Sequence, residues 1–245
     1  MQGQAQPAPP SVPRRHAGRL RERHHRRAGA GRLDAADRPH RRAGGQHALS
    51  RWRSELDAFA LADRQNPPRP GGVLFVGSSS IRLWQGLESA FPGQSGVQRR
   101  GVGGSCLYEW ADWVAPIVLP HRPRLLLVYA GENDLTEGRT PHDLLASFIR
   151  LADRVRADLP DTRLAYLSIK PSPSRMAWLD AMREANLLIQ TWVLASPNMD
   201  YVDVHTPMID NDGRPRAELF VRDQLHLSAE GYALWRQVVS AHLRP

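Results

Sequence analysis

The stretch that decides the fold is Phe-Val-Gly-Ser-Ser-Ser-Ile, residues 75–81. The apolar run Val73–Val76 is typical of a buried parallel strand. The run breaks at Gly77 and passes through three serines into a helical pattern that begins near Ile81. A strand-to-helix turn of this kind exposes a side chain at the carboxyl edge of a sheet, where open α/β folds bind ligands. A serine there can be a nucleophile, but it can equally cap the helix, so the turn alone leaves both roles open.

Strands and helices alternate along the chain after about residue 50, which predicts a parallel sheet with right-handed crossovers. A first helix is predicted near Ser50–Ala62. Apolar stripes at helical spacing, such as Leu144, Phe148 and Leu151, are expected to face the core. The strand-like runs are Val73–Val76, Val97–Arg100, Leu125–Tyr129, Leu164–Ile169 and Tyr201–Val204. The sequence therefore predicts an α/β fold, a three-layer α/β/α sandwich with five strands.

Three further motifs occur where a strand ends or a helix begins. The run Arg100–Gly104 ends the second strand, and Gly-Glu-Asn-Asp, residues 131–134, ends the third. Asp-Gln-Leu-His, residues 223–226, comes just before the last helix. Taken one by one, the glycines are compatible with a flexible loop, and Asn133 and Asp134 with a plain turn. The motifs become informative through their order along the chain.

Together with the serine turn, these motifs resemble the SGNH hydrolases, also called the GDSL esterase/lipase family. The resemblance covers about residue 50 to the C-terminus and implies the flavodoxin-like strand order 2-1-3-4-5. It makes Ser79 the nucleophile, because Gly77-x-Ser79 matches the family's turn. It assigns the oxyanion hole to Ser79, Gly104 and Asn133. It also matches Asp223 and His226 to the family's Asp-x-x-His.

The chain departs from the family pattern at one position. Ser78 stands where an aspartate usually precedes the nucleophile, in a Gly-Ser-Ser-Ser-Ile-Arg-x-Trp variant of the motif. That aspartate is not part of the triad, so the chemistry is unaffected. The three consecutive serines leave Ser78 and Ser80 as alternatives to Ser79 for the nucleophile.

The chemistry can also be argued from the residue types. A serine hydroxyl is a weak nucleophile until a base takes its proton, and a histidine base needs a partner that fixes its tautomer. Asp223 lies three residues before His226, close enough to share a turn. An attacked ester carbonyl needs preorganised donors, which a glycine N–H and the Asn133 amide can supply. His205, which ends the last strand near Asp203, is the rival base, whereas His121, His142 and His242 are expected at the surface.

The net charge of +8 belongs to the N-terminal leader, residues 1–49, which holds 11 Arg, no Lys and 3 acidic residues. Residues 50–245 are balanced, so no nucleic-acid binding is expected of this domain. The leader has too few apolar residues to order itself and is predicted to be disordered. Three interpretations stay open: a tail that binds polyanions, a transit-like segment, and an artefact such as a mis-assigned start, which the lysine-free composition favours.

No apolar run is long enough for a membrane span, and the leader has no apolar core of a secretory signal, which predicts a cytoplasmic protein. Cys106 is the only cysteine, so an intrachain disulfide is excluded. A cysteine nucleophile is conceivable two residues after Gly104, but an inert, partly buried thiol is expected. Neither a metal nor a cofactor is expected. The run Asp210–Gly213 imitates part of a calcium loop but lacks its final glutamate.

These observations favour a serine esterase that hydrolyses short-chain carboxylic esters of small molecules through an acyl-enzyme. One alternative is removal of acetyl groups from carbohydrate. The alternative of a different class is a non-catalytic flavodoxin-like module, in which Gly77–Ser80 would hold a flavin phosphate. The sequence does not indicate an oligomeric state.

Overall fold

The computed structural model describes residues 51–243, so the interpretation of residues 1–49 lies outside the described part. The described chain forms one parallel sheet of five strands in the order β2-β1-β3-β4-β5. The strands are β1 (Val73–Gly77), β2 (Val97–Gly101), β3 (Leu125–Tyr129), β4 (Arg163–Leu167) and β5 (Met199–Val202). The predicted α/β class and the strand order 2-1-3-4-5 are confirmed.

Seven α-helices lie within residues 51–243, and α3 continues into a wider π-helical turn at Val114–Val118. The helices are α1 (Arg53–Gln65), α2 (Ser79–Arg82), α3 (Leu107–Trp113), α4 (Glu132–Thr136), α5 (Pro141–Asp158), α6 (Leu179–Leu194) and α7 (Ala229–Ser240). None of them is long and apolar enough to cross a membrane.

The sheet separates two apolar cores, as the alternation of β1 shows. Leu74 and Val76 contribute to the core shared with α3, α5 and α6. Val73 and Phe75 contribute to the core on the other face, which includes Trp235 of α7. The helical stripes predicted from sequence thus lie against the sheet, and the central strands β1, β3 and β4 are buried on both faces, as expected for a parallel sheet.

The last two strands end earlier than predicted. Ile169 and Val204 are buried, but both lie beyond the ends of β4 and β5. The Ile169 N–H donates to the Asn186 side chain (2.8 Å), and the Val204 N–H donates to Ser168 Oγ (2.9 Å). The apolar pattern therefore predicts the burial of these residues but not the ends of the strands. The strands end where side chains, and not a neighbouring strand, accept the backbone N–H groups.

The prediction of a surface position for His121 is wrong. Its ring is buried, with Nδ1 2.6 Å from Gln98 Oε1 and Nε2 3.6 Å from Asp63 Oδ2. Burial lowers the pKa of His121 to about 4, and the nearby Arg100 adds to this against the opposing effect of Asp63. Because Asp63 belongs to α1 and also pairs with Arg100 of β2, this polar cluster fixes α1 to an edge strand.

Candidate active site

The serine turn is built by a glycine that no other residue could replace. Gly77 has φ +152°, and a Cβ there would lie 2.0 Å from the Tyr129 carbonyl oxygen of β3. The close approach lets the Ser78 N–H donate to the same carbonyl (3.0 Å) before the chain turns into α2. Ser79 is the first residue of α2, so its N–H has no carbonyl partner within the helix.

The three serines of the turn have different surroundings. Ser78 and Ser80 are fully buried, and the Ser80 hydroxyl lies beside the Tyr129 phenol. Ser78 occupies the N-cap position of α2, but its side chain makes no capping bond. The Ser79 Oγ lies 3.1 Å from His226 Nε2. Of the three hydroxyls, the one placed beside a base is that of Ser79.

Asp223 and His226 share one tight turn, as their spacing suggested. The Asp223 Oδ1 accepts the backbone N–H groups of Leu225 and His226, both at 2.9 Å. Its other oxygen, Oδ2, lies 2.7 Å from His226 Nδ1. Gln224 adopts φ +55° inside this turn, and the Val221 N–H closes the loop on the His226 carbonyl (2.9 Å).

The charge of Asp223 fixes the histidine tautomer. Partial burial raises the pKa of Asp223, but the hydrogen bonds from the His226 N–H, the His226 ring and the Leu225 N–H outweigh it and lower the pKa to about 2. A carboxylate can only accept hydrogen bonds, so His226 Nδ1 carries the proton. The lone pair of Nε2 therefore faces the Ser79 hydroxyl.

His205, the rival base, faces the interior. Its Nδ1 lies 2.8 Å from the Ile169 carbonyl oxygen and 3.3 Å from Asn186 Nδ2. Burial lowers the pKa of His205, although the Ile169 carbonyl opposes that shift. These contacts hold the ring in the core behind β4, whereas the ring in contact with Ser79 is that of His226.

Gly104 lies in a turn that follows β2. The Ser105 N–H donates to the Val102 carbonyl (3.2 Å), and Gly104 takes the left-handed value φ +84° that this turn requires. The Trp52 ring covers it, because a Cβ on Gly104 would be 3.4 Å from Trp52 Cη2. The Trp52 indole N–H in turn donates to Glu109 Oε1 (2.9 Å). Trp52, which the sequence did not single out, thus supports the glycine turn from the start of α1.

Asn133 lies beside the same turn. Its Nδ2 donates to the Ser105 carbonyl (3.0 Å), and its Oδ1 accepts from Arg175 Nη2 (3.2 Å). An asparagine amide has two N–H donors, so one remains for a ligand. The next residue, Asp134, accepts the Leu107 N–H (2.7 Å) at the start of α3. The Asn-Asp pair is therefore more than a turn, because it connects the segment after β3 to the glycine turn.

Glu132 and Lys170 form a buried ion pair at the carboxyl edge of the sheet. Lys170 Nζ lies 2.5 Å from Glu132 Oε2, and both side chains are almost completely removed from solvent. Burial lowers the pKa of Lys170, while the charge of Glu132 opposes that shift. Sequence reasoning missed this pair, although Lys170 is the only lysine in the chain and directly follows a strand region.

A cavity of about 520 Å³ lies next to the two turns that carry the candidate triad. Leu83 lines it at the end of α2, one helical turn from Ser79, and Leu227 lines it directly after His226. Its further lining mixes aromatic, apolar and polar side chains, including Trp84, Val221, Tyr232, Gln85 and Arg236. Its volume lies within the range of small-molecule pockets, although Ser79, Asp223 and His226 are not among its lining residues.

Cys106 and a metal site are the two other possibilities that the sequence raises. Cys106 is buried, and burial together with the nearby Asp134 carboxylate raises the pKa of its thiol. A cysteine in this state is not a nucleophile. Within residues 51–243, no group of three or more His, Cys, Asp or Glu side chains could hold a metal ion.

Comparison with known proteins identifies relatives of this fold. The profile of the GDSL-like Lipase/Acylhydrolase family matches residues 72–234. A Streptococcus pneumonia structure, described provisionally as a platelet activating factor, is similar with TM-score 0.72 and 19% identity over 81% of this chain and 95% of that one. A GDSL-like lipase from Bacteroides thetaiotaomicron has TM-score 0.61 and 20% identity over 79% and 96% of the two chains.

A family 3 carbohydrate esterase from Clostridium thermocellum is also similar. It has TM-score 0.56 and 18% identity over 72% of this chain and 98% of its own. None of the curated proteins matches this sequence. At these identities the structural neighbours establish the shared fold.

Proposed function

The chain belongs to the GDSL-like Lipase/Acylhydrolase family, and from that premise we propose that it is a serine esterase acting on short-chain carboxylic esters. The observation that carries the proposal is the unbroken chain of side-chain contacts from Ser79 through His226 to Asp223. Its two contacts are 3.1 Å, from Ser79 Oγ to His226 Nε2, and 2.7 Å, from His226 Nδ1 to Asp223 Oδ2. This is the order of contacts that a nucleophile, its base and the base's partner require.

The reaction would proceed in two halves. His226 Nε2 takes the Ser79 proton as Oγ attacks the ester carbonyl, and the carbonyl oxygen becomes an oxyanion. His226 then gives this proton to the leaving alcohol, which leaves an acyl group on Ser79. Water, deprotonated by His226, attacks the acyl group; the bond from the acyl carbon to Ser79 Oγ then breaks, and His226 returns the proton to Oγ, which releases the carboxylic acid and restores the free serine. Asp223, ionised throughout, stabilises the imidazolium formed in each half.

In this proposal three donors would receive the oxyanion. They are the Ser79 N–H at the start of α2, the Gly104 N–H in its left-handed turn and the second N–H of the Asn133 amide. The bond from Asn133 to the Ser105 carbonyl keeps two of these donors at a fixed separation. Preorganised donors of this kind stabilise the transition state more than the ground state.

Asn133→Ala should lower kcat by about 10²–10³-fold and change KM much less, because the lost donor acts mainly on the oxyanion. Steady-state kinetics with a p-nitrophenyl ester measures both constants. Asn211→Ala, at an exposed loop asparagine, is the matched control and should leave both unchanged. An effect confined to KM would make Asn133 a substrate-binding residue instead.

The acyl group should be short. The site is open, with the His226 side chain 28% and the Asp223 side chain 49% exposed. A fully buried CH₂ gains about 0.8 kcal/mol, and an acyl chain lying along an open rim gains much less. We expect kcat/KM over a p-nitrophenyl ester series to peak between acetyl and butyryl and to fall by octanoyl. A maximum at dodecanoyl, or activation at a lipid interface, would favour a lipase.

Removal of acetyl groups from carbohydrate is the second candidate. The observation that favours it is the cavity lined by Leu83 and Leu227, whose lining also combines the Tyr232 ring with polar groups such as Gln85 and Arg236. Acetylated oligosaccharides assayed beside simple acetate esters decide between the two substrates. If no ester is hydrolysed and the protein instead binds a flavin with its characteristic absorption, the non-catalytic module is the correct alternative.

A further inference from the structure

Arg175 reaches from the loop after β4 to the segment after β3. It lies in the 3₁₀ turn Pro173–Trp178 and is half-buried. Its Nη1 donates to the Glu132 carbonyl (2.9 Å) and to Thr136 Oγ1 (3.0 Å), while Nη2 donates to Asn133 Oδ1 (3.2 Å). The guanidinium thus bonds to three acceptors on one short helix, and one of them is the amide of the candidate oxyanion donor.

These contacts select one of the two orientations of the Asn133 amide. In the observed orientation, Oδ1 accepts from Arg175 and Nδ2 donates to the Ser105 carbonyl. A flip of the amide would place NH₂ against the guanidinium and Oδ1 against a carbonyl oxygen, so both hydrogen bonds would become repulsive contacts. An unmade hydrogen bond at a desolvated group costs more than the bond itself contributes. Arg175 therefore disfavours the flipped state, in which an oxygen would face the reacting carbonyl.

An arginine is suited to this task by its chemistry. The guanidinium is always charged, has only donors and presents them in a rigid plane, so it cannot turn an acceptor towards Asn133. The backbone of the same turn is also fixed to the other half of the site, because the neighbouring Ser174 N–H donates to the Gln224 carbonyl (3.1 Å). The loop that carries Arg175 thereby contacts both the Asn133 helix and the turn that holds Asp223 and His226.

We propose that Arg175 is a positioning residue for the oxyanion hole, which it serves by holding the Asn133 amide with its NH₂ group towards the reacting carbonyl. This inference rests on the proposed esterase function and on the role of Asn133 within it. Arg175 itself contacts neither Ser79 nor the substrate carbonyl in this assignment. Its contribution should therefore depend entirely on the presence of the Asn133 side chain.

The test is a double-mutant cycle between Arg175→Met and Asn133→Ala, read out as kcat and KM for p-nitrophenyl acetate. Arg175→Met alone should lower kcat at least about tenfold, short of the full loss from removing the donor, with KM within about threefold. In the Asn133→Ala background, the same change should cost less than about threefold, because residues that act as one unit are not additive. Arg183→Met, which removes an exposed arginine bound to Asp180, is the matched control.

Two further variants keep the test independent of folding. Arg175→Ala should regain part of its kcat in millimolar guanidinium chloride and none in equal sodium chloride, since the added ion can occupy the vacated position. Arg175→Lys should lie between wild type and Arg175→Met, because one ammonium cannot replace a planar fork. A purely structural role would instead lower the melting temperature in both backgrounds alike and show no rescue.

The possible results distinguish a failure of the positioning role of Arg175 from a failure of the proposed oxyanion role of Asn133. If Asn133→Ala keeps its kcat, the oxyanion role of Asn133 fails, and the role of Arg175 fails with it. If Asn133→Ala loses kcat while Arg175→Met does not, or if the two losses multiply, only the positioning role is overturned. Loss in both single variants, without further loss in the double variant, supports it.

Discussion

Replacing Ser79 by alanine should lower kcat for ester hydrolysis on the order of 10⁶-fold, which is the scale of losing the nucleophile from a serine hydrolase. Without its Oγ there is no acyl-enzyme, and the 3.1 Å contact with His226 Nε2 has no proton to transfer. The oxyanion donors would remain, so hydrolysis above the uncatalysed rate by about 10³-fold can persist. A p-nitrophenyl acetate assay with wild-type and variant protein, at matched melting temperature, measures the loss.

Ser78 and Ser80 provide the control for which of the three serines is the nucleophile. Ser78→Ala and Ser80→Ala change hydroxyls that are fully buried and make no contact with His226. Both variants should keep kcat within about tenfold if they fold. An organophosphonate should label Ser79, as peptide mass mapping of the adduct can show. An adduct on Ser78 or Ser80 would move the nucleophile to that residue.

The two histidines extend the same experiment. His226→Ala should approach the loss of Ser79→Ala, and the double variant should be no worse than either, because the two groups act as one unit. His205→Ala removes a ring that is bonded to the Ile169 carbonyl, so its effect should appear in stability and not in the chemical step. If His205→Ala folds but is inactive while His226→Ala stays active, the general base is His205 and not His226.

The serine turn and the Asp-x-x-His turn could be found from the sequence because both are local. Ser78 and Ser79 directly follow β1, and Asp223 shares its turn with His226 through a bond that spans three residues. Alternating strands and helices then bring such turns to the same edge of a parallel sheet. Periodicity was sufficient for the α/β class, whereas the strand order and the choice of Ser79 among the three serines came from the resemblance to the SGNH hydrolases.

The partners of buried charges could not be found in this way. Arg175 bonds to Asn133 across 42 positions, Lys170 to Glu132 across 38, and Trp52 to Glu109 across 57. A single arginine, lysine or tryptophan in a loop belongs to no repeating apolar pattern, so the sequence does not indicate whether its side chain is exposed or buried. His121 illustrates the error, because only the packing of α1 on the edge strand brings Asp63 to its ring.

Lys170→Met should be the most destabilising single change among the charged residues discussed, at about 3–5 kcal/mol. The substitution keeps the length of the side chain but leaves the Glu132 carboxylate, 1% exposed, without its cation. For a domain of this size the loss corresponds to a fall in melting temperature of about 6–20 °C. Urea unfolding and thermal unfolding should give the same loss in the free energy of unfolding. Arg183→Met, which breaks an ion pair with an almost fully exposed Asp180, should cost less than about 1 kcal/mol.

The decisive comparison is with the double variant Lys170→Met/Glu132→Gln. Replacing the orphaned carboxylate by a neutral amide removes the uncompensated charge, so the double variant should be more stable than Lys170→Met alone. A double variant no more stable than the single one would mean that Lys170 acts through the packing of its methylene groups. The expected result would instead show that a desolvated charge pair joins the segments after β3 and β4, directly behind Asn133 and the loop of Arg175.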